Sequence, residues 1–370
     1  MIRRVNLIEE SFLPVILLFN ITGLRSYHNG AFLKYTRFHR FILESPRYLF
    51  IFLQCLGIIT QAISVALSPE KKRPVVILIL ALLQFTINEQ TRRSRKQIQA
   101  ILMKLWKCSQ MLQWYQNERK LRISIFAYCC GMTVTFTSFF LLYRFSNDYE
   151  IYRSLIENSD QNFPKLKQYF TLFPDISVIV IPATVAVIFI SLTGYYGFVC
   201  FYIKFLFNRI EEKIGHLNKD CSYGVLIQSY LELTSIMKSL DDYLSFSAFV
   251  IVLSALLGLF FINFELIFNS GDYLHAIFGE IWYLVSVCMI ILPASATNSA
   301  FFTAKETIQT LPWKIPQYYT NLKVMIRSEC TKDVSLTLWK VYKIKRSLIF
   351  GAMGTLVTYG MLLATQGGPK

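Results

Sequence analysis

The sequence predicts an all-α, polytopic membrane protein with seven transmembrane helices, its N-terminus cytoplasmic, its C-terminus extracellular, and its helices extended into the cytosol. Three observations carry that expectation. Apolar residues make up 54% of the 370 positions and charged residues only 16%, where a soluble domain carries roughly a quarter charged. The apolar residues gather into blocks close to the ~20 residues that cross a bilayer's hydrocarbon layer. The basic residues are unevenly shared between alternate loops: 30 of the 38 Lys and Arg fall on the side of the N-terminus and the second, fourth and sixth loops. That bias marks the cytoplasmic face. It also accounts for the net charge of +15 without nucleic acid, whose phosphates are the other common partner of clustered Lys and Arg.

The apolar stretch from Phe12 to Leu24, broken by Pro14, Asn20 and Gly23, is too short to span and reads as an interfacial helix on the inner leaflet. The first span is Pro46 to Leu67, with Pro46 suited to a helix's first turn. The second runs from Val75 to about Gln90 and is stopped by Arg92, Arg93, Arg95 and Lys96. Residues 91–121 form a basic helical loop, and Ile123 to Tyr143 is the third span. The fourth apolar run, Phe173 to Phe207, exceeds a membrane's thickness, so it tilts, kinks near Pro182 or projects beyond the bilayer. After a charged helical loop from Arg209 to Asp242 come the fifth span, Tyr243 to Phe268, and the sixth, from about His275 to Phe302. A long basic segment, Thr303 to Arg346, leads to the last span, Ser347 to Gln366. The chain thus divides into an N-terminal cytoplasmic segment (1–45), helices 1–6 with their loops (46–302), a basic cytoplasmic loop (303–346) and the seventh helix with a short extracellular tail (347–370).

Little in this sequence points to catalysis. The four histidines, His28, His39, His216 and His275, are far apart, and no H-E-x-x-H or nucleophile motif is present. Of the eight cysteines none lies in a segment assigned to the outside, and no C-x-x-C spacing occurs. No catalytic residue, metal ligand, cofactor or extracellular disulfide is therefore expected. Two other membrane classes fit less well. A G-protein-coupled receptor holds its N-terminus outside and carries Asp-Arg-Tyr and Asn-Pro-x-x-Tyr motifs that are missing here. A multispan transporter would show a pseudo-repeat or broken helices with midplane charges, and neither is found.

The last span reads Gly351-Ala352-Met353-Gly354-Thr355-Leu356-Val357-Thr358-Tyr359-Gly360-Met361-Leu362-Leu363-Ala364-Thr365-Gln366. It resembles the C-terminal signature of insect gustatory receptors, in which Thr-Tyr is followed by five hydrophobic residues and Gln. Here Thr365 stands where Gln is usual, Gln366 follows one place later, and Gly367 replaces the usual Phe. Length, seven spans, inverted orientation and short outer tail extend the resemblance over the whole chain. The resemblance implies a ligand-gated, nonselective cation channel of four subunits, identical or related, in the plasma membrane of sensory neurons. It further implies seventh helices around a central pore and a tastant bound in an outward-facing pocket of each bundle of helices 1–6.

On that basis the pore-lining candidates are Thr358, Tyr359, Leu362, Leu363, Thr365 and Gln366, with Leu362 and Leu363 as the constriction. Gly351, Gly354 and Gly360 allow close helix approach, although ordinary small-residue packing with back-bonded hydroxyls describes the same residues. The ligand-binding candidates are Tyr143, Phe264, Glu265, Glu280, Trp282 and Tyr283. Ionisable groups at membrane depth default to function; near a boundary, snorkelling and the aromatic belt account for Glu265, Glu280 and His275 as well.

Overall fold

A computed structural model describes residues 11–22, 37–67, 72–113, 118–146, 172–215, 223–268, 273–314 and 320–366. In chain order the elements are α1 (Leu13–Ile21), α2 (Arg37–Leu67), α3 (Lys72–Arg93), α4 (Arg95–Met111), α5 (Glu118–Arg144), α6 (Leu172–Gly215), α7 (Tyr223–Phe268), α8 (Tyr273–Lys314), α9 (Thr320–Glu329), β1 (Thr337–Leu338), β2 (Tyr342–Lys343) and α10 (Ser347–Gln366). Five described stretches are long and apolar enough to cross a membrane: Val75–Arg93, Arg119–Arg144, Ile179–Gly215, Tyr223–Phe264 and Tyr273–Trp313. Tyr48–Ile63 and Ser347–Thr358 are shorter apolar helices.

The three central helices explain the architecture. α6, α7 and α8 run for 44, 46 and 42 residues, each about 60 to 70 Å at the α-helical rise. A hydrocarbon layer is only about 30 Å thick, so each projects well past it. Their apolar pattern switches accordingly: α7 begins with charged residues at Glu232, Lys238, Asp241 and Asp242 and is uncharged from Tyr243 to Phe264. At the charged end α4 packs against α7 through Ile98, Ile101, Leu102, Leu105 and Cys108, all buried and spaced by three and four residues. Lys107 reaches Glu232 of α7 at 3.3 Å on the exposed rim.

α6 and α8 share the most extensive seam in the chain. Pro293 lies inside α8 and has no N–H to give to the carbonyl of Met289, four residues back. That carbonyl is turned against α6, where a Cβ on Gly197 would stand 2.6 Å from it. One turn further along, the Thr297 hydroxyl lies 2.7 Å from the Cys200 carbonyl of α6 and 2.9 Å from the Pro293 carbonyl of its own helix. A glycine and a threonine thus let two backbones meet where proline has opened one of them.

Several expectations are revised. The chain is not purely α-helical: β1 and β2 pair antiparallel, Thr337 with Lys343 and Leu338 with Tyr342. The segment after Phe302 is not a loop, because α8 continues to Lys314 and α9 follows. Pro46 sits inside α2 rather than in its first turn, since the helix already begins at Arg37. The Phe12–Leu24 segment does more than lie on a surface. Phe12, Val15 and Phe19 are buried, with the rings of Phe12 and Phe19 edge-on to Tyr195 of α6 at 6.3 and 5.6 Å, while Leu13 and Leu17 stay exposed. Tyr195 completes the joint by donating its hydroxyl to the Ile98 carbonyl of α4 at 2.8 Å.

The seam gives a stability test. Gly197→Ala drives a methyl into the Met289 carbonyl and is expected to destabilise the protein by about 1 to 3 kcal/mol, the usual range for overpacking. Gly131→Ala on α5, where a Cβ meets nothing within 4 Å, is expected to be neutral or stabilising by about 1 kcal/mol through helix propensity. Thermal unfolding of the detergent-solubilised protein reads both, and equal midpoints for the two variants would refute the seam's tightness.

Candidate functional site

Two structured regions flank the α6–α8 seam, one toward the ends of α7 and α8 that adjoin residues 269–272, the other toward the β-hairpin. The first is aromatic. Phe136, Phe139, Phe140 and Tyr143 recur at helical spacing on α5, so one face of that helix is a stripe of rings. Trp282 of α8, 1% exposed, stacks on Phe189 of α6 at 5.0 Å and meets Phe136 at 5.4 Å and Tyr283 at 4.8 Å. Tyr143 extends the network, its ring 6.4 Å from Phe139 and 5.9 Å from the buried His275.

Glycines let the helices close around these rings. Tyr283 presses onto Gly258 of α7, where a Cβ would overlap the ring, and a Cβ on Gly279 would stand 2.5 Å from Ile262 and 2.9 Å from Phe139. The Trp282 indole N–H is buried with no hydrogen-bond partner among the described residues, whereas buried Trp donors ordinarily find an acceptor.

Of the six ligand-binding candidates, Tyr143, Trp282 and Tyr283 belong to this network. Phe264 and Glu280 are half-buried on α7 and α8. Glu265 lies in α7, but its side chain is outside the described residues. The sequence reading missed Phe136, Phe139 and Phe189. The three- and four-residue spacing of the α5 rings was the available signal; nothing in sequence paired Phe189 with Trp282.

The second region leads into α10. Asn298 of α8, 4% exposed, donates to the carbonyls of Leu336 and Ile344 at 3.1 and 3.0 Å and accepts from the Leu336 N–H at 2.8 Å. Asp241 of α7 takes the Thr337 N–H at 2.6 Å and its hydroxyl at 2.8 Å. The turn between the strands places Trp339 and Lys340 at φ 52° and 57°, the left-handed region that costs a non-glycine residue about 1 kcal/mol or more. Contacts to α7 hold it there. The Trp339 N–H donates to the Ser245 carbonyl at 3.1 Å, its ring packs against Phe246 and Phe249 at 5.7 and 5.3 Å, and Lys340 pairs with Asp242 at 2.7 Å.

Charge follows the same geometry. Lys340 is raised by its hydrogen bond to Asp242, and Lys305 holds the Asp333 carboxyl below the usual range by hydrogen bonding to it. Burial lowers Lys343, whose ammonium sits 3.8 Å from the centre of the Phe302 ring.

α10 itself is nearly bare. Leu348 and Ile349 in its first turn pack on the core, whereas Phe350, Val357, Met361 and Leu362 are 77%, 54%, 66% and 51% exposed. A Cβ on Gly351 or Gly354 would meet nothing within 4 Å. Among the pore-lining candidates, Thr358 is exposed and donates its hydroxyl back to the Gly354 carbonyl at 2.8 Å. The side chains of Tyr359, Leu363, Thr365 and Gln366 lie outside the described residues.

No protein-family model matches the chain, and no curated protein matches it in sequence. Among solved structures it superposes on the insect olfactory receptor OR5 from Machilis hrabei with a TM-score of 0.70 at 9% identity, covering 95% of this chain and 97% of that one. The same receptor in complex with eugenol matches with a TM-score of 0.70 at 9% identity over 97% of each chain. The chain has the fold of an insect olfactory receptor. At that identity the likeness is one of fold, and it covers 95% of this chain and 97% of that receptor.

The aromatic region can be tested directly for its part in holding the fold. Trp282→Ala is expected to cost about 3 to 5 kcal/mol, as for a fully buried large ring, and Trp282→Phe, which keeps the stack on Phe189, clearly less. Thermal unfolding followed by circular dichroism measures the difference, and an unchanged midpoint for Trp282→Ala would place that side chain outside the core.

Proposed function

We propose that the chain is a subunit of a chemosensory channel of the gustatory-receptor type: a ligand-gated, nonselective cation channel of four subunits in a sensory neuron's plasma membrane. The observation that carries the reading is α10, an apolar helix of the right length to enter a membrane, whose described residues beyond the first turn are mostly exposed. A helix whose small-residue face is left open, in a chain with an insect chemoreceptor's fold, is suited to meet copies of itself around an axis. The five long apolar stretches with Tyr48–Ile63 and α10 make up the seven spans of this reading. The 30 of 38 Lys and Arg that fall in the N-terminal segment and the second, fourth and sixth loops support a cytoplasmic place for those segments.

In this reading the ligand enters the aromatic region. Rings dominate that region and the Trp282 N–H is a donor without a partner among the described residues, so the favoured ligand is a small, largely apolar molecule with one hydrogen-bond acceptor. Ligand binding favours an open arrangement only to the extent that it binds that arrangement more tightly. Leu362 and Leu363 form the constriction, which dewets when closed, and Thr365 and Gln366 face the water beyond it.

Cysteine placed singly from Thr358 to Gln366 is expected to react with an externally applied thiol reagent along one helical stripe, and substitution at Leu362 or Gln366 to alter conductance. An epitope after Lys370 is expected to be accessible on intact cells, while one before Met1 is hidden. Uniform protection of all these positions with unchanged currents, or surface staining of the N-terminal epitope, would contradict the reading.

A further inference from the structure

We infer that Asn298 is a positioning residue for gating: its carboxamide clamps the 336–344 hairpin, and through it the first turn of α10, in the closed arrangement. The inference rests on the channel reading and adds to it the element that joins α8 to the pore helix.

The chemistry of the clamp is specific. Asn298 uses both amide hydrogens and its oxygen on the backbone of two residues, Leu336 and Ile344, which are themselves joined by the Ile344 N–H to the Leu336 carbonyl at 3.1 Å. Among the uncharged side chains only a carboxamide offers two donors and an acceptor in one plane. Ile344 stands three residues before Ser347, where α10 begins, and the first turn is closed by the Leu348 and Ile349 N–H groups bonding to the Lys345 and Arg346 carbonyls. Beyond that turn the described part of α10 is largely exposed, so its start is placed jointly by the clamp and by the core packing of Leu348 and Ile349.

Two further observations give the clamp a direction. The hairpin turn is held in left-handed backbone at Trp339 and Lys340, a conformation that persists only while its surroundings over-determine it. Releasing the clamp therefore relaxes the hairpin and frees the first turn of α10. The same helix that carries Asn298 also carries Trp282 and Tyr283, about 24 Å away along its axis, with Pro293 between them. A displacement of α8 at the aromatic region is thereby delivered to the hairpin.

The variant Asn298→Asp is nearly isosteric and keeps the oxygen that accepts from Leu336, but it turns an oxygen toward the Leu336 and Ile344 carbonyls. Thr337→Val is a milder second variant that removes the hydroxyl bond to Asp241 and the acceptor 3.1 Å from the Lys340 N–H. The full chain is purified and reconstituted in phosphatidylcholine bilayers, and single-channel cation current is recorded without added ligand. Amide hydrogen exchange of residues 334–346 is measured on the same preparations. Asn298→Asp is expected to raise the ligand-free open probability about tenfold, the change made by losing one or two net hydrogen bonds, with Thr337→Val smaller in the same direction and hairpin exchange faster in both. Should Asn298→Asp fail to fold, the Thr337→Val result alone decides. Faster exchange with unchanged opening shows that Asn298 merely folds the hairpin and overturns the inference, as does unchanged exchange or reduced opening. A wild-type chain that conducts no cations under any condition, with variants equally silent, overturns the channel reading itself and the inference with it.

Discussion

The close approach of α6 and α8 at Gly197, Cys200, Met289 and Thr297 is the constraint on which the rest of the chain depends. Pro293 withholds one hydrogen bond from α8, and the Met289 carbonyl it leaves lies against Gly197, the one residue type that leaves room there. Thr297 then spends its single hydroxyl proton on both backbones at once. Because this seam fixes how α8 lies on α6, it also fixes where Trp282 meets Phe189 on one side and where Asn298 faces the hairpin on the other.

The two flanking regions are held by different physics. Around Trp282 the contacts are ring against ring, individually weak and tolerant in direction, which suits a surface that accommodates different shapes. Around Asn298 the contacts are hydrogen bonds to backbone, directional and saturated, with a strained turn held in place by Trp339 and Lys340. A soft region and a stiff one on a single helix form an asymmetric lever: rearrangement is cheap at one end and costly at the other.

Much of this was legible in sequence because membranes impose strong rules. The apolar blocks located the long helices, and Ser347 to Gln366 coincides with α10 residue for residue. What escaped was set by tertiary contacts. Leu336-Thr337-Leu338 alternates apolar and polar residues but Val341-Tyr342-Lys343-Ile344 does not; two-residue strands lie below what alternation can signal, and a left-handed Trp-Lys turn breaks the usual Asn-Gly preference. Pro46 looked like a helix start because the residues before it are mixed in character; the helix nevertheless begins at Arg37. Tyr143, Trp282 and Tyr283 were picked out as aromatics near a boundary and do share one network, whereas Phe189 was indistinguishable from any other apolar residue of α6. The short Phe12 segment was judged by its length and its breaks at Pro14, Asn20 and Gly23, although burial of Phe12, Val15 and Phe19, with both rings against Tyr195, is what anchors it.

The bareness of α10 has a consequence for how such a chain varies. Energetic coupling between positions follows shared contacts and fades where there are none. Beyond its first turn, the described part of this helix exchanges little contact with the rest of its own chain, so substitutions there and substitutions among the rings of α5, α6 and α8 act nearly additively. On the proposed channel reading, sensing and conduction are therefore free to be tuned by separate sets of mutations, and a lineage of such chains can diversify the one without dismantling the other.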